Sequence, residues 1–176
     1  STNPHDNDFI EEKGKPLQEK IENILLENKD QQKKLNITLM EMDASKPKSD
    51  KDLDKLEKLL NKYSVGGNTA GQMGDNKYAI LHSQEPDGLD TKNLILELTK
   101  STGISLNSTT IDADSQVLSE EDGIRALIFS LQQFAEDSEG FDVDSLANGY
   151  NEIVENTACK VKHLRQILDK GDFSLV

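Results

Sequence analysis

Tryptophan is absent, and aromatic residues make up only 5% of the 176-residue chain. A large β-sandwich or barrel core usually needs more aromatic volume than that, whereas helical bundles manage with Leu, Ile and Val. Cys159 is the one cysteine, so no disulfide can close within the chain. No apolar run approaches the ~18 residues of a membrane span, and the longest is Ala126-Leu127-Ile128-Phe129. Residues 1–12 are polar and lack the apolar core of a signal peptide. Basic residues are scarce where acids are dense. From Ser101 to Cys159 there are twelve acids and one base, Arg125, within a net charge of −13. Such a segment repels phosphate, which argues against nucleic acid or an anionic membrane as its partner. Two readings of it stand: a solvated surface that keeps the protein soluble, or a contact surface for a basic partner.

What is present points to helices. Residues 1–14 read as a disordered leader, after which Gly14-Lys15-Pro16 opens a helix with Pro16 near its first position. Ile21, Ile24, Asn28, Gln31, Leu35, Thr38 and Met42 then follow the alternating three- and four-residue spacing of a coiled-coil seam. Pro47 ends or bends that helix, and Ser49 caps a second, with Leu53, Leu56, Leu59, Leu60 and Tyr63 as its stripe. The spacing thus predicts an N-terminal helical arm over 15–63, kinked near 47. Four glycines among small polar residues make 64–76 a flexible linker. Residues 77–142 read as a small acidic α+β region. Tyr78–Leu81 is a short strand, Asp90 caps a short helix closed by Gly103, and Ile104, Leu106 and Ile111 lie in a short strand or extended segment. Ser119 caps a helix whose face is Ile124, Leu127, Ile128, Leu131 and Phe134. Asp144 or Ser145 caps a long helix over 143–171, striped by Leu146, Tyr150, Ile153, Thr157, Val161, Leu164 and Leu168, before a tail at 172–176. The fold class expected is therefore mainly α, with coiled-coil-like arms at both ends of a small irregular α+β middle.

Catalytic equipment is thin. His5, His82 and His163 are far apart in sequence. Cys159 and His163 share a helix face, the start of a Cys–His nucleophile or half a zinc site, yet no local pattern supplies further ligands. Asp112 and Asp114 match the opening of an EF-hand loop, but Val117 replaces its glycine and Gly123 its bidentate Glu. Asp142 and Asp144 fail the same test and read as helix-flanking acids. No enzyme, cofactor or metal is expected.

Leu94-Ile95-Leu96-Glu97-Leu98, Gly103-Ile104-Ser105-Leu106-Asn107, Thr110-Ile111-Asp112 and Gly123-Ile124-Arg125-Ala126-Leu127, followed by the long terminal helix, resemble the hydrophilic translocators of bacterial type III secretion. These are the filament and needle-tip subunits of the injection apparatus. The chain departs from them in lacking an apolar segment near the N-terminal helix and in the break at Gly171-Asp172-Phe173. The resemblance implies a secreted or cell-surface, non-enzymatic virulence subunit that assembles through paired helices and needs an export chaperone. On either reading the expected function is protein binding or assembly. The interaction residues would be Ile21, Ile24, Leu35, Met42, Leu56, Leu60, Tyr150, Ile153, Val161, Leu164 and Leu168. The alternatives are a secreted or surface protein whose acidic face takes a basic ligand, and a cytoplasmic coiled-coil adaptor.

Overall fold

The computed structural model describes residues 4–28, 35–46, 48–83, 90–112 and 120–149, with positions 152, 153, 155, 156 and 159. Four strands, β1 (Leu35–Met42), β2 (Ala70–Gly74), β3 (Lys77–Ser83) and β4 (Leu106–Asp112), form one sheet in the order β2-β3-β1-β4. Every neighbouring pair is antiparallel. Around it lie α1 (Pro4–Asn28), α2 (Asp50–Tyr63), α3 (Thr91–Thr102), α4 (Glu120–Ala135) and a helix at 143–149, α5.

Strand parity divides the core in two. Successive side chains of a strand point to opposite faces. Leu35, Ile37 and Leu39 of β1 join Ala79, Leu81 and Ile111 in one buried cluster, with Leu17 and Ile21 of α1, Leu127 and Leu131 of α4, and Val143 and Leu146 of α5. Met40 joins Tyr78 and Ile80 in the other, with Leu56 and Leu60 of α2 and Leu94 and Leu98 of α3. The molecule is thus a helix–sheet–helix sandwich. Two crossovers, β1-α2-β2 and β3-α3-β4, interleave so that each straddles a strand of the other, the split β-α-β arrangement. Alpha-helices α2 and α3 cover one face. The opposite face carries α1, α4 and α5.

This α+β sandwich overturns the mainly-α reading with its two coiled-coil arms. The decisive segment is 35–42. Its Leu35, Thr38 and Met42 fit a helical seam, but Ile37 and Thr38 are β-branched and favour a pleated backbone. Being central, β1 is buried on both faces, so the alternation that marks a half-buried strand is blurred. With β1 in the sheet, no coiled-coil helix runs from Ile21 to Met42.

Other stretches differ as well. Helix α1 begins at Pro4 and carries Pro16 inside it, so the stretch expected as a leader is helical from residue 4. The expected linker at 64–76 holds a 3-10 turn at Val65–Gly67 and all of β2. Gly66 and Gly67 supply the positive φ of that turn, and Gly74 serves close contact. A Cβ on Gly74 would lie 2.7 Å from the Ala135 carbonyl oxygen, and one on Gly14 of α1 would lie 2.9 Å from the Met73 carbonyl oxygen. Local punctuation is as expected. Ser49 accepts from the Asp52 amide, Asp90 from the Lys92 and Asn93 amides, and Gly103 ends α3 at φ 70°.

Candidate protein-binding surface

Charge is unevenly layered on the sandwich. Helix α2 has four acids and four bases, and α3 one acid and two bases. Residues 120–159, which supply α4 and α5 to the opposite face, hold ten acids against Arg125 alone. Glu136, Asp137, Glu139, Asp142 and Asp144, between α4 and the first turn of α5, are all exposed. Three of them are held in place by side-chain bonds. Asp137 adopts φ 60° and accepts from Lys77 Nζ at 2.6 Å. Lys77 is itself buried, lies 4.9 Å from the Phe134 ring centroid and donates to the Phe134 carbonyl at 2.7 Å, so it closes the C-terminal end of α4. Asp142 accepts from the Ser145 amide at 2.7 Å, which caps α5 and holds the Asp142 carboxyl below its ordinary range. Glu41, reaching from β1, accepts from the Val143 amide at 2.8 Å. Asp144 accepts from Asn107 of β4 at 2.8 Å and so ties the acidic turn to the outer strand. Within this surface Phe129, 39% exposed, packs edge-on against Phe141 with ring centroids 6.3 Å apart. A partly exposed aromatic pair in an acidic stretch is the kind of anchor on which protein interfaces depend.

A second polar cluster lies on the other face. Thr38 Oγ1 sits 2.7 Å from His82 Nε2 and 2.9 Å from Thr110 Oγ1, and Thr91 Oγ1 is 3.5 Å from Thr110 Oγ1. His82 Nδ1 faces the Ser83 carbonyl at 3.4 Å. A carbonyl only accepts, so Nδ1 carries the proton, Nε2 accepts from Thr38, and Thr38 accepts from Thr110. Burial pushes the His82 pKa down. A hydroxyl donating to an imidazole is the geometry of an activated nucleophile. Thr38 and His82, however, are 0% and 2% exposed, and a substrate needs to touch the attacking oxygen. The cluster instead ties β3, β1 and β4 together across the sheet. A cleft of about 230 Å³ also opens over β2, between Leu17 and Lys20 of α1 and Glu57 and Asn61 of α2.

The structure distributes the seam residues among different elements. Ile21 lies in α1, Leu35 in β1, and Leu56 and Leu60 in α2, all buried within the chain. Ile24, Met42 and Ile153 are partly buried against the same two cores. Tyr150, Val161, Leu164 and Leu168 lie outside the described residues, as does His163. Cys159 is exposed. Among the described residues no three His, Cys, Asp or Glu side chains converge as metal ligands, and no helix is long and apolar enough to cross a membrane. Sequence reasoning singled out the acidic segment but missed Glu41, Lys77 and Asn107, which position it. Ile104 and Leu106 alternating with polar neighbours, with Ile111 further on, mark the stretch in which β4 lies. Comparison with family models, with curated proteins and with solved structures returns no match, so the surface is read from its own geometry.

Proposed function

We propose that the chain is a non-enzymatic protein-binding domain whose α4–α5 layer takes a basic partner. One observation carries this: residues 120–149, which supply α4 and α5, hold eight acids against Arg125 alone, while α2 and α3 on the other face are close to neutral. Solubility alone asks for charge of both signs spread over the whole surface. Segregation of this kind sets up a directional field that steers an oppositely charged partner. The Phe129–Phe141 pair supplies apolar contact inside that field. Assembly through helical arms fares less well, because Ile21, Leu35, Leu56 and Leu60 already fill the cores of their own chain.

The test is binding of the full chain to oligolysine, followed by calorimetry across a salt series. Exposed charges are screened over about 10 Å at 0.1 M salt, so affinity should fall steeply as salt rises. Neutralising the acidic turn (Glu136→Gln, Glu139→Gln, Asp144→Asn) should weaken binding, and neutralising α2 (Asp54→Asn, Glu57→Gln) should not. Equal effects from the two sets would mean that only net charge matters, and the surface would lose its role.

A further inference from the structure

The two edges of the sheet are treated differently. Strand β2 is partly covered, apart from the cleft beside Ala70–Gln72. Helix α1 crosses it closely enough that Gly14 meets the Met73 carbonyl, α4 ends against Gly74, and the Ala70 amide is taken by the Asn61 side chain at 3.1 Å. Strand β4 is paired with β1 along its whole length, from Leu106 opposite Met42 to Asp112 opposite Asn36, without a bulge. Its sequence, Leu-Asn-Ser-Thr-Thr-Ile-Asp, has none of the lysines or prolines that usually block an edge.

The register shows which groups face out. The Met42 amide donates to the Asn76 carbonyl in the β2–β3 turn, at 2.8 Å. Even-numbered residues of β1 therefore direct their backbone groups toward β3, and odd-numbered ones toward β4. Opposite those odd residues stand Asn107, Thr109 and Ile111. Ser108 and Thr110 are left with N–H and C=O directed away from the sheet. Among the described residues no backbone group bonds to them from outside.

The geometry points to β4 as a strand-addition site for an extended basic segment of the partner protein. This rests on the binding function proposed above and names its mode. Backbone pairing supplies affinity in such additions, and flanking side chains supply selectivity. Here the flank is acidic: Asp144 is bonded to Asn107 of β4 itself, and Asp142 lies beside it. A cationic strand meets complementary charge there. A second copy of this chain would instead bring another net charge of −13 against it.

The probe is a peptide of alternating lysine and valine, added to the full chain. Ser108→Pro deletes one outward N–H and no bond of the ladder, a change that edge strands tolerate. It should weaken the peptide about tenfold while leaving the thermal midpoint near that of the wild type. In the wild type, saturating peptide should slow amide exchange at Ser108 and Thr110 about tenfold, a reading that needs no variant. Salt-sensitive binding with unchanged exchange at both amides would overturn the edge site and leave the acidic layer standing. No binding to the wild type at low salt would overturn both. If Ser108→Pro unfolds the chain, the exchange result alone decides.

Discussion

Single residues carry more of this structure than their chemistry alone announces. Gly74 is needed for space and Gly103 for its backbone conformation, and the two should respond differently to alanine. At Gly74 a methyl group would press on the Ala135 carbonyl, so Gly74→Ala should cost about 1–3 kcal/mol by forcing α4 away from β2. At Gly103, with φ 70° and nothing within 4 Å of the new Cβ, the cost is roughly 1–2 kcal/mol and purely conformational. Urea titration measures both, and a rise in amide exchange along β2 should accompany only the first. His82 sets a pH dependence. Its folded pKa is depressed by burial, so below about pH 6.5 the unfolded chain gains a proton that the folded chain refuses. Stability is complete above that value and is lost as pH falls toward the folded pKa. His82→Gln should flatten the loss between about pH 7 and pH 5.5. A slope equal to that of the wild type would show that the imidazole is not the group responsible.

At the scale of elements, the ends of α2 and α3 and the strand around Tyr78–Leu81 were legible, whereas β1, β2 and both ends of α1 were not. Ser49, Asp90 and Gly103 work through local hydrogen bonds or a single dihedral angle, so neighbouring letters suffice to place them. Strand β1 depends on partners 44 and 72 positions away, through Thr38 to His82 and Thr110, and its own letters fit a helix nearly as well. Strand β2 is glycine-rich for packing reasons that only α1 and α4 reveal. The acidic surface was legible as composition, whereas its confinement to one layer required the fold. Lys77 shows how an element is finished from a distance. It is 7% exposed while its partner Asp137 is 86% exposed, so the ion pair itself contributes little. The bond to the Phe134 carbonyl, at the end of α4, is the larger share. Lys77→Met should therefore cost about 1–3 kcal/mol by removing the charged donor from that carbonyl, which keeps only the Asp137 amide at 3.2 Å, and Asp137→Ala under about 1 kcal/mol. Equal losses in urea titration would assign the stability to the ion pair instead.

At the scale of the whole molecule, Ile21, Leu35, Leu56 and Leu60, which resembled parts of intermolecular stripes, close on the chain's own sheet. Light scattering across a concentration series should then give 19.6 kDa throughout. Growth with concentration would return the helices to the role of assembly surfaces. The interleaving of the two crossovers has a consequence for biosynthesis. Strand β1 leaves the ribosome early, yet it lies between β3 and β4, and the last residue it pairs with is Asp112. At roughly 5–20 residues per second, roughly 4–14 s separate the emergence of Met42 from that of Asp112. For that interval Leu35, Ile37, Leu39 and Met40 have no finished sheet to enter. The nascent chain carries a sticky, two-sided strand for the 70 residues from Met42 to Asp112, and its yield in a cell depends on how well that strand is shielded until the second crossover arrives.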